Sequence, residues 1–461
     1  MGTFEYHVGT PLWSWLWSYW LWLTASTTAT YLVARTIYRL YFHPAAGFPG
    51  PKLAAASYLP YCYYWLRDQY PWYEEKLMHE YGDVVRIGPN EVAFLTPQAA
   101  QDIHGAANRG MEIFRKTDLM DFGTGDLGFT WENDPAKREA VGKKMVPAFS
   151  SKATREKEPL VEAYMDLFIQ RLKEMGGRPG GLLMNDWLIW LSTDLAADLA
   201  YGRELNQVRD WMMFTVPAVL KANADEVRAR IDRRGKTKHP DFMDYMIPTE
   251  GPPVPTGKKD LRHIEQVALQ MFIAGFDPIQ IQLYAAVFFL VKHGEAYARL
   301  TKEIRDAFES YGDITAEAVS KLAYLNAFIH ESQRAYVITV ARMPRVSPGA
   351  TVDGVYVPKG VIVHLSSFTA ARHPRYWREP LSFTAARHPR YWREPLSFKP
   401  ERWLPTDHPL YDTRYANDNL KAFFPFGLGP RQCIGREIAW SQERRNACSW
   451  LSCCGRSTSI P

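Results

Sequence analysis

Charge is missing from the front of this chain: from Tyr6 to Val33 there is no Asp, Glu, Lys or Arg. The gap exceeds the roughly 20 residues that a bilayer span needs. Inside it, Trp13, Trp15, Trp17, Trp20 and Trp22 alternate with leucine, serine and tyrosine, and threonines and serines dilute the run from Thr24 to Thr30. No basic stretch precedes the run and no small-x-small site ends it, which argues against a cleaved signal peptide. Arg35, Arg39 and Lys52 follow it. The positive-inside rule then gives a transmembrane signal anchor over residues 11–34, a lumenal 1–10 and a cytosolic body. An interfacial or core helix is the other reading. Cysteine is scarce as well: the 5 are Cys62, Cys433, Cys448, Cys453 and Cys454. An odd, sparse set argues against a disulfide framework and for a reducing compartment. Long Lys/Arg runs are absent, and a net charge of +5 does not imply nucleic acid. Gly123-Thr-Gly-Asp-Leu-Gly128 matches a dinucleotide fingerprint but lacks its context. Arg115-Lys-Thr-Asp118 stands where an apolar strand should, and no amphipathic helix follows directly. A loop beside a pocket is the better reading.

What is present is a large core, at 46% hydrophobic over 461 residues. Residues 35–52 end in His43-Pro-Ala-Ala-Gly-Phe-Pro-Gly-Pro-Lys52, too rich in proline and glycine for helix or central strand, and read as a stiff hinge. Helical spacing predicts helices over Trp72–Tyr81, Trp131–Ser150, Leu160–Met175, Asp186–Tyr201 and Ile264–Arg305. Val84 to Phe94 reads as two strands around a turn, and Asp353-Gly354 as a hairpin turn. Between Gly202 and Leu261 the chain is polar and short.

Two stretches look damaged. Ser367 to Leu381 recurs without change as Ser382 to Leu396, fifteen residues each. Two copies cannot fill one place in a close-packed body, so one is expected to be extruded as a loop. After Arg445 the helical pattern collapses, and residues 446–461 read as an aberrant tail. Cys448, Cys453 and Cys454 have the wrong spacing for zinc and no fourth ligand near.

The chain is organised around Phe423 to Gly435. Cys433 follows an aromatic, glycine-rich turn and opens a predicted helix, where the positive helix end favours a thiolate. Gly427 and Gly429 let the backbone turn tightly beside something large and flat. Phe426 supplies an aromatic face, and Arg431 can meet an anionic group at the rim. Haem held by one thiolate fits these requirements.

The run Phe426-Gly427-Leu428-Gly429-Pro430-Arg431-Gln432-Cys433-Ile434-Gly435, with Ala439 after it, resembles the haem-cysteine loop of the cytochrome P450 family. The resemblance covers about Tyr41 to Arg445. It implies a mainly α fold with a small β region, preceded here by the transmembrane helix, with residues 53–445 as the catalytic domain. It implies haem b on Cys433, with Gly427 and Gly435 shaping the loop. Arg138, Trp131, Arg345 and Arg431 become candidates for the haem propionates. Glu331-Ser-Gln-Arg334 and Arg402 of Pro400-Glu-Arg-Trp403 become a buried structural network, which is costly to break. Ala274-Gly275-Phe276-Asp277 resembles the family's oxygen-binding groove, so Ala274, Gly275 and Asp277 are the catalytic candidates. Pro278 stands where the family has a threonine, and its missing N–H frees the Ala274 carbonyl instead. The family also spends more chain on the pocket roof and after the haem loop than this sequence does.

The implied activity is monooxygenation of a small, largely apolar metabolite, with O2 and NADPH–cytochrome P450 reductase as partners. The closest look is to fungal microsomal members of secondary metabolism, on the endoplasmic reticulum membrane as single-pass proteins with a cytosolic catalytic domain. Two other readings stay open: a haem-thiolate dehydratase or isomerase that does not activate O2, and an inactive truncated member.

Overall fold

The computed structural model describes residues 12–454 apart from 106–111, 120, 122, 124, 211–215, 235, 251–252, 255–256, 339–342, 374 and 377–396. Helix α1 (Leu12–Ile37) leads into a wider turn at Tyr38–Phe42, and α2 (Tyr70–Tyr81) lies against the sheet. Strands β1 (Val84–Gly88) and β2 (Glu91–Phe94) form the expected antiparallel pair, and β3 (Arg115–Lys116) follows. Next come α3 (Pro135–Met145), α4 (Glu158–Met175), α5 (Met184–Tyr201), α6 (Val216–Asp232), α7 (Lys258–Lys292), α8 (Gly294–Ala307) and α9 (Ala323–Ala335). Strands β4 (Arg345–Val346), β5 (Ala350–Val352), β6 (Val355–Val357) and β7 (Ile362–Leu365) precede the last helix, α10 (Arg436–Cys454).

The larger sheet runs β1-β2-β7-β4-β3, with β2 and β7 parallel and the other pairs antiparallel. Strands β5 and β6 form the separate hairpin that Asp353-Gly354 announces. Both turn residues take positive φ, 47° and 78°, as a two-residue turn between twisted strands requires. Gly123, Gly125 and Gly128 also have positive φ, and their segment is a loop, as expected.

The main core lies between α4, α5 and α7. Helix α5 is buried nearly all round, which is why its sequence shows little amphipathic contrast. Gly275 of α7 meets it closely: a Cβ there would lie 3.3 Å from that of Ala196. A second core joins α8, α9 and α10.

The structure corrects several expectations. The long helix predicted over Ile264–Arg305 is two, broken where His293 leaves helical geometry (φ −123°, ψ 79°). The helix predicted over Trp131–Ser150 is α3 with a tighter turn at Val146–Phe149, and Asp134 caps it by accepting the Ala136 N–H. Trp131 lies ahead of it in a turn. Helix α10 does not stop at Arg445. It continues to Cys454, because Ala447, Cys448 and Leu451 bury against the second core. Of the duplicated stretch, the first copy begins with a helical turn at Ser367–Ala370 and buries Tyr376. The remainder and the whole second copy, with the extruded loop expected there, fall outside the described residues.

None of the α1 side chains from Trp15 onward is buried. Among the described residues one helix is long and apolar enough by mean hydropathy to cross a bilayer, and it is α7, which packs against α5 in the core. Just past α1, Arg39 Nη1 donates to the Ala56 carbonyl at 2.7 Å and ties the start of the chain to the body.

Candidate active site

The cysteine loop is shaped by two glycines in the left-handed region, Gly427 (φ 79°) and Gly429 (φ 68°). Gly429 is doubly constrained, since a Cβ there would lie 2.0 Å from the His104 carbonyl oxygen. The Cys433 N–H closes the loop by donating to the Phe426 carbonyl at 2.8 Å. Helix α10 starts at Arg436, two residues later than the predicted Ile434. Protein surrounds the Cys433 side chain on most sides, yet its open face looks into a cavity of about 460 Å³. Burial pushes the thiol pKa up, while the Gly435 N–H and Arg436 draw it down.

The cavity lies between this loop and α7. Phe426, Gly427, Arg431, Cys433 and Gly435 line one side, and Ala274, Gly275, Pro278 and Ile279 line the other. Asp277 is not brought into this wall; it is exposed on α7, where partial desolvation raises its carboxyl pKa. Pro278 sits inside α7 without ending it. The rest of the wall is largely apolar, with Phe129, Leu199, Phe242, Met271 and Leu365.

At one rim the cavity gathers cations. Arg138, Arg345 and Arg431 all line it, as three of the four propionate candidates should. Trp131 does not; the ring beneath Arg138 is Phe129, 4.5 Å away. Lys116 is a fourth basic group there that the sequence reading missed. It is brought there by the β3–β4 register, which sets Lys116 opposite Arg345. No local signal marks it, since the pairing spans more than two hundred residues.

These groups crowd one another. Burial, with Arg345, Arg431 and Arg138 nearby, brings the Lys116 amine down to about 6. Arg345 is brought down to about 10 by burial and Arg138, and Arg431 to about 9 by burial, Arg138 and Arg345. Arg431 donates to the Glu132 carbonyl at 2.7 Å, and Lys116 to that of Thr130. The buried Nε atoms of Arg138 and Arg345 have no partner. A buried cation without an anion is costly, so this rim suits a ligand carrying carboxylates. Among the described residues no group of three or more His, Cys, Asp or Glu is placed to hold a metal ion. An iron bound at Cys433 must therefore bring its other ligands with it. A thiol on one wall and unpaired cations at the edge fit haem on both counts.

Sequence comparison agrees. The family model described as Cytochrome P450 matches residues 213–389 and 384–444, two stretches that overlap inside the duplicated segment. Cytochrome P450 monooxygenase TwmD of Talaromyces wortmannii is 40% identical over 454 residues, covering 90% of this chain and 86% of that protein. Cytochrome P450 monooxygenase poxC of Penicillium oxalicum is 31% identical, covering 93% of this chain and 86% of its own length. Cytochrome P450 monooxygenase BOA3 of Botryotinia fuckeliana is also 31% identical, with 88% and 85% covered. The chain belongs to the cytochrome P450 family. Within it, it is a monooxygenase similar to the fungal members, with thiolate-ligated haem iron as cofactor, a reductase as redox partner and O2 as oxidant.

The second predicted constellation is assembled behind the loop. Arg334 forks onto Glu331 with two bonds of 2.7 Å, and Arg402 Nε donates to Glu331 Oε1 at 3.2 Å. Trp403 Nε1 and the Lys399 N–H add bonds of 2.8 Å each, so both carboxylate oxygens are satisfied. Burial opposes the charge on Glu331, but Arg334 and Arg402 hold its pKa below the usual value. Arg402 also pairs with Asp418, which the sequence reading missed. Arg334 further donates to the Ala371 and Ser397 carbonyls at 3.0 Å, holding the first copy of the duplicated stretch and the residue that follows the second.

One more buried pair lines the cavity. Gln333 Nε2 donates to Glu443 Oε2 at 2.8 Å, and burial pushes Glu443 up to about 8.

Proposed function

We infer that the protein inserts one oxygen atom of O2 into a small, largely apolar metabolite of secondary metabolism. The observation that carries this reading is the Cys433 thiol facing the Ala274–Gly275 surface across an apolar cavity with a cationic rim. Haem bound there would supply dioxygen activation, with Cys433 as its electron-donating thiolate ligand. Cys433 holds the iron, and the Gly435 N–H steadies the sulfur's negative charge. Arg138, Arg345, Arg431 and Lys116 hold the propionates. Phe129, Phe242, Met271 and Leu365 exclude water and grip apolar surface. Pro278 leaves the Ala274 carbonyl without its helical donor, so a water or a substrate hydroxyl can sit there and pass a proton.

The exposed tryptophans of α1 support seating in a bilayer, since Trp and Tyr favour the membrane interface. With Arg35, Arg39 and Lys52 after it, α1 is a single-pass anchor in the endoplasmic reticulum and the catalytic domain is cytosolic. NADPH–cytochrome P450 reductase is the electron donor, docking on the basic side near Cys433. Resistance of the membrane-bound protein to alkaline carbonate extraction, lost on deleting α1, checks the anchor.

The deciding experiment is a carbon monoxide difference spectrum of the reduced protein. A thiolate-type Soret band is expected, and Cys433→Ser should lose both the band and turnover. Retention of both by the variant would sink the reading. Pro278 favours a second reading, a haem-thiolate dehydratase or isomerase. NADPH- and reductase-dependent O2 consumption coupled to product argues against it.

A further inference from the structure

The segment 126–132 runs from α7 to the basic rim, and one side chain of α7, Gln270, makes most of the bonds that hold it. Gln270 is only 3% exposed. Its Oε1 accepts the N–H groups of Phe129 at 2.8 Å and Thr130 at 2.6 Å, and its Nε2 donates to the Leu127 carbonyl at 2.8 Å. Three main-chain groups of one turn are thus satisfied by a single amide, whose orientation these partners dictate. Gly128, between them, has φ 62°, and a Cβ there would lie 2.4 Å from Gln270 Nε2. Two helical turns earlier on α7, His263 Nδ1 meets Asp126 at 3.0 Å. The far side of the segment carries the rim: the Thr130 carbonyl takes Lys116, the Phe129 ring underlies Arg138, and the Glu132 carbonyl takes Arg431.

We propose that Gln270 is a positioning residue that pins the 126–130 turn across α7. It thereby sets both an apolar wall of the cavity and the seats of Lys116 and Arg138. Bond-making to substrate is not its part; it decides how closely Phe129 and Thr130 close on whatever occupies the cavity. The inference rests on the haem-thiolate reading of that cavity for its functional consequence, and on the hydrogen bonds alone for its structural one.

The test uses the full-length, haem-loaded protein. Gln270→Ala should speed hydrogen exchange at the Phe129 and Thr130 amides by about tenfold or more, while α4 amides keep their rates. It should also weaken the spectral Kd for phenylimidazole several-fold more than that for imidazole, which has no second ring to press on the wall. Gln270→Glu keeps both accepting bonds and should restore most of the amide protection. Gly128→Ala should reproduce Gln270→Ala from the other side, with the double variant no worse than the poorer single. Unchanged exchange at the two amides in Gln270→Ala, or equal weakening of both ligands, would overturn the proposal. The carbon monoxide difference spectrum separates the two failures. A mistaken strap leaves the thiolate band intact, whereas a wild-type chain without that band defeats the haem-thiolate reading, and the amide rates still decide the strap.

Discussion

Two groups of basic side chains lie near the cysteine loop, and the protein treats them differently. Behind the loop, Arg334 and Arg402 are matched by Glu331 and Asp418, with every oxygen of Glu331 engaged. At the cavity rim, Lys116, Arg138, Arg345 and Arg431 press on one another with little carboxylate nearby. In a paired cluster the charges offset one another's burial within the fold, whereas an unpaired one is offset only when a ligand arrives. The first therefore belongs to architecture and the second to binding.

The contrast can be broken from either side. Glu331→Ala should have the largest effect, because it leaves buried Arg334 without a carboxylate and Arg402 with Asp418 alone. A loss of about 3–5 kcal/mol is expected, read as little or no folded holoprotein in thermal unfolding. His364 belongs with the matched groups: Nε2 meets Glu74 at 2.8 Å and Nδ1 meets Glu91 at 3.1 Å. Burial opposes its charge, but Glu74 and then Glu91 hold the imidazolium up to about 10. Its contribution is therefore complete below the unfolded value near 6.5 and is lost as pH rises towards 10. His364→Gln should cost about 1.5–3 kcal/mol at pH 6 and progressively less in alkali, measured by denaturant unfolding at several pH values.

Arg345→Met tests the unmatched side and should act with the opposite sign on the two forms. The haem-free protein should gain about 1–3 kcal/mol by losing an unsatisfied buried charge, while the loaded protein should release haem faster. Equal destabilisation of both forms would place Arg345 with the architecture. The smallest effect is expected at Glu443, an unmatched acid that is neutralised by a proton. Its raised value, about 8, means that the folded state keeps a proton the unfolded chain loses above about 4.5. Stability falls between those pH values as a result. Glu443→Gln should change little at pH 5, about 1 kcal/mol or less, and should flatten that fall, leaving the variant the more stable at pH 8.

Those groups also show what could be read from the chain unaided. The cysteine loop, the Glu331–Arg334 spacing and the Asp353-Gly354 turn are local, so a few neighbouring residues carry their meaning. Lys116, Asp418 and the Glu74–His364 pair arise from contacts between distant segments, and nothing beside them in the sequence announces a partner. Asp277 and Trp131 lie in the right stretches, but the phase of α7 and the start of α3 decide that neither lines the cavity. Helix α10 outran its own weak pattern because burial of Cys448 and Leu451 overrides local preference.

The bond from Arg39 to the Ala56 carbonyl bears on how the whole molecule would sit. A long helix joined by a loose tether lets the attached body tumble. Here the junction is pinned within one turn of the end of α1, so helix and body swing together like a keel and its hull. With α1 seated in a lipid sheet as proposed, the bearing of the body against that sheet would no longer be free, and the Arg39 guanidinium would share in the steering.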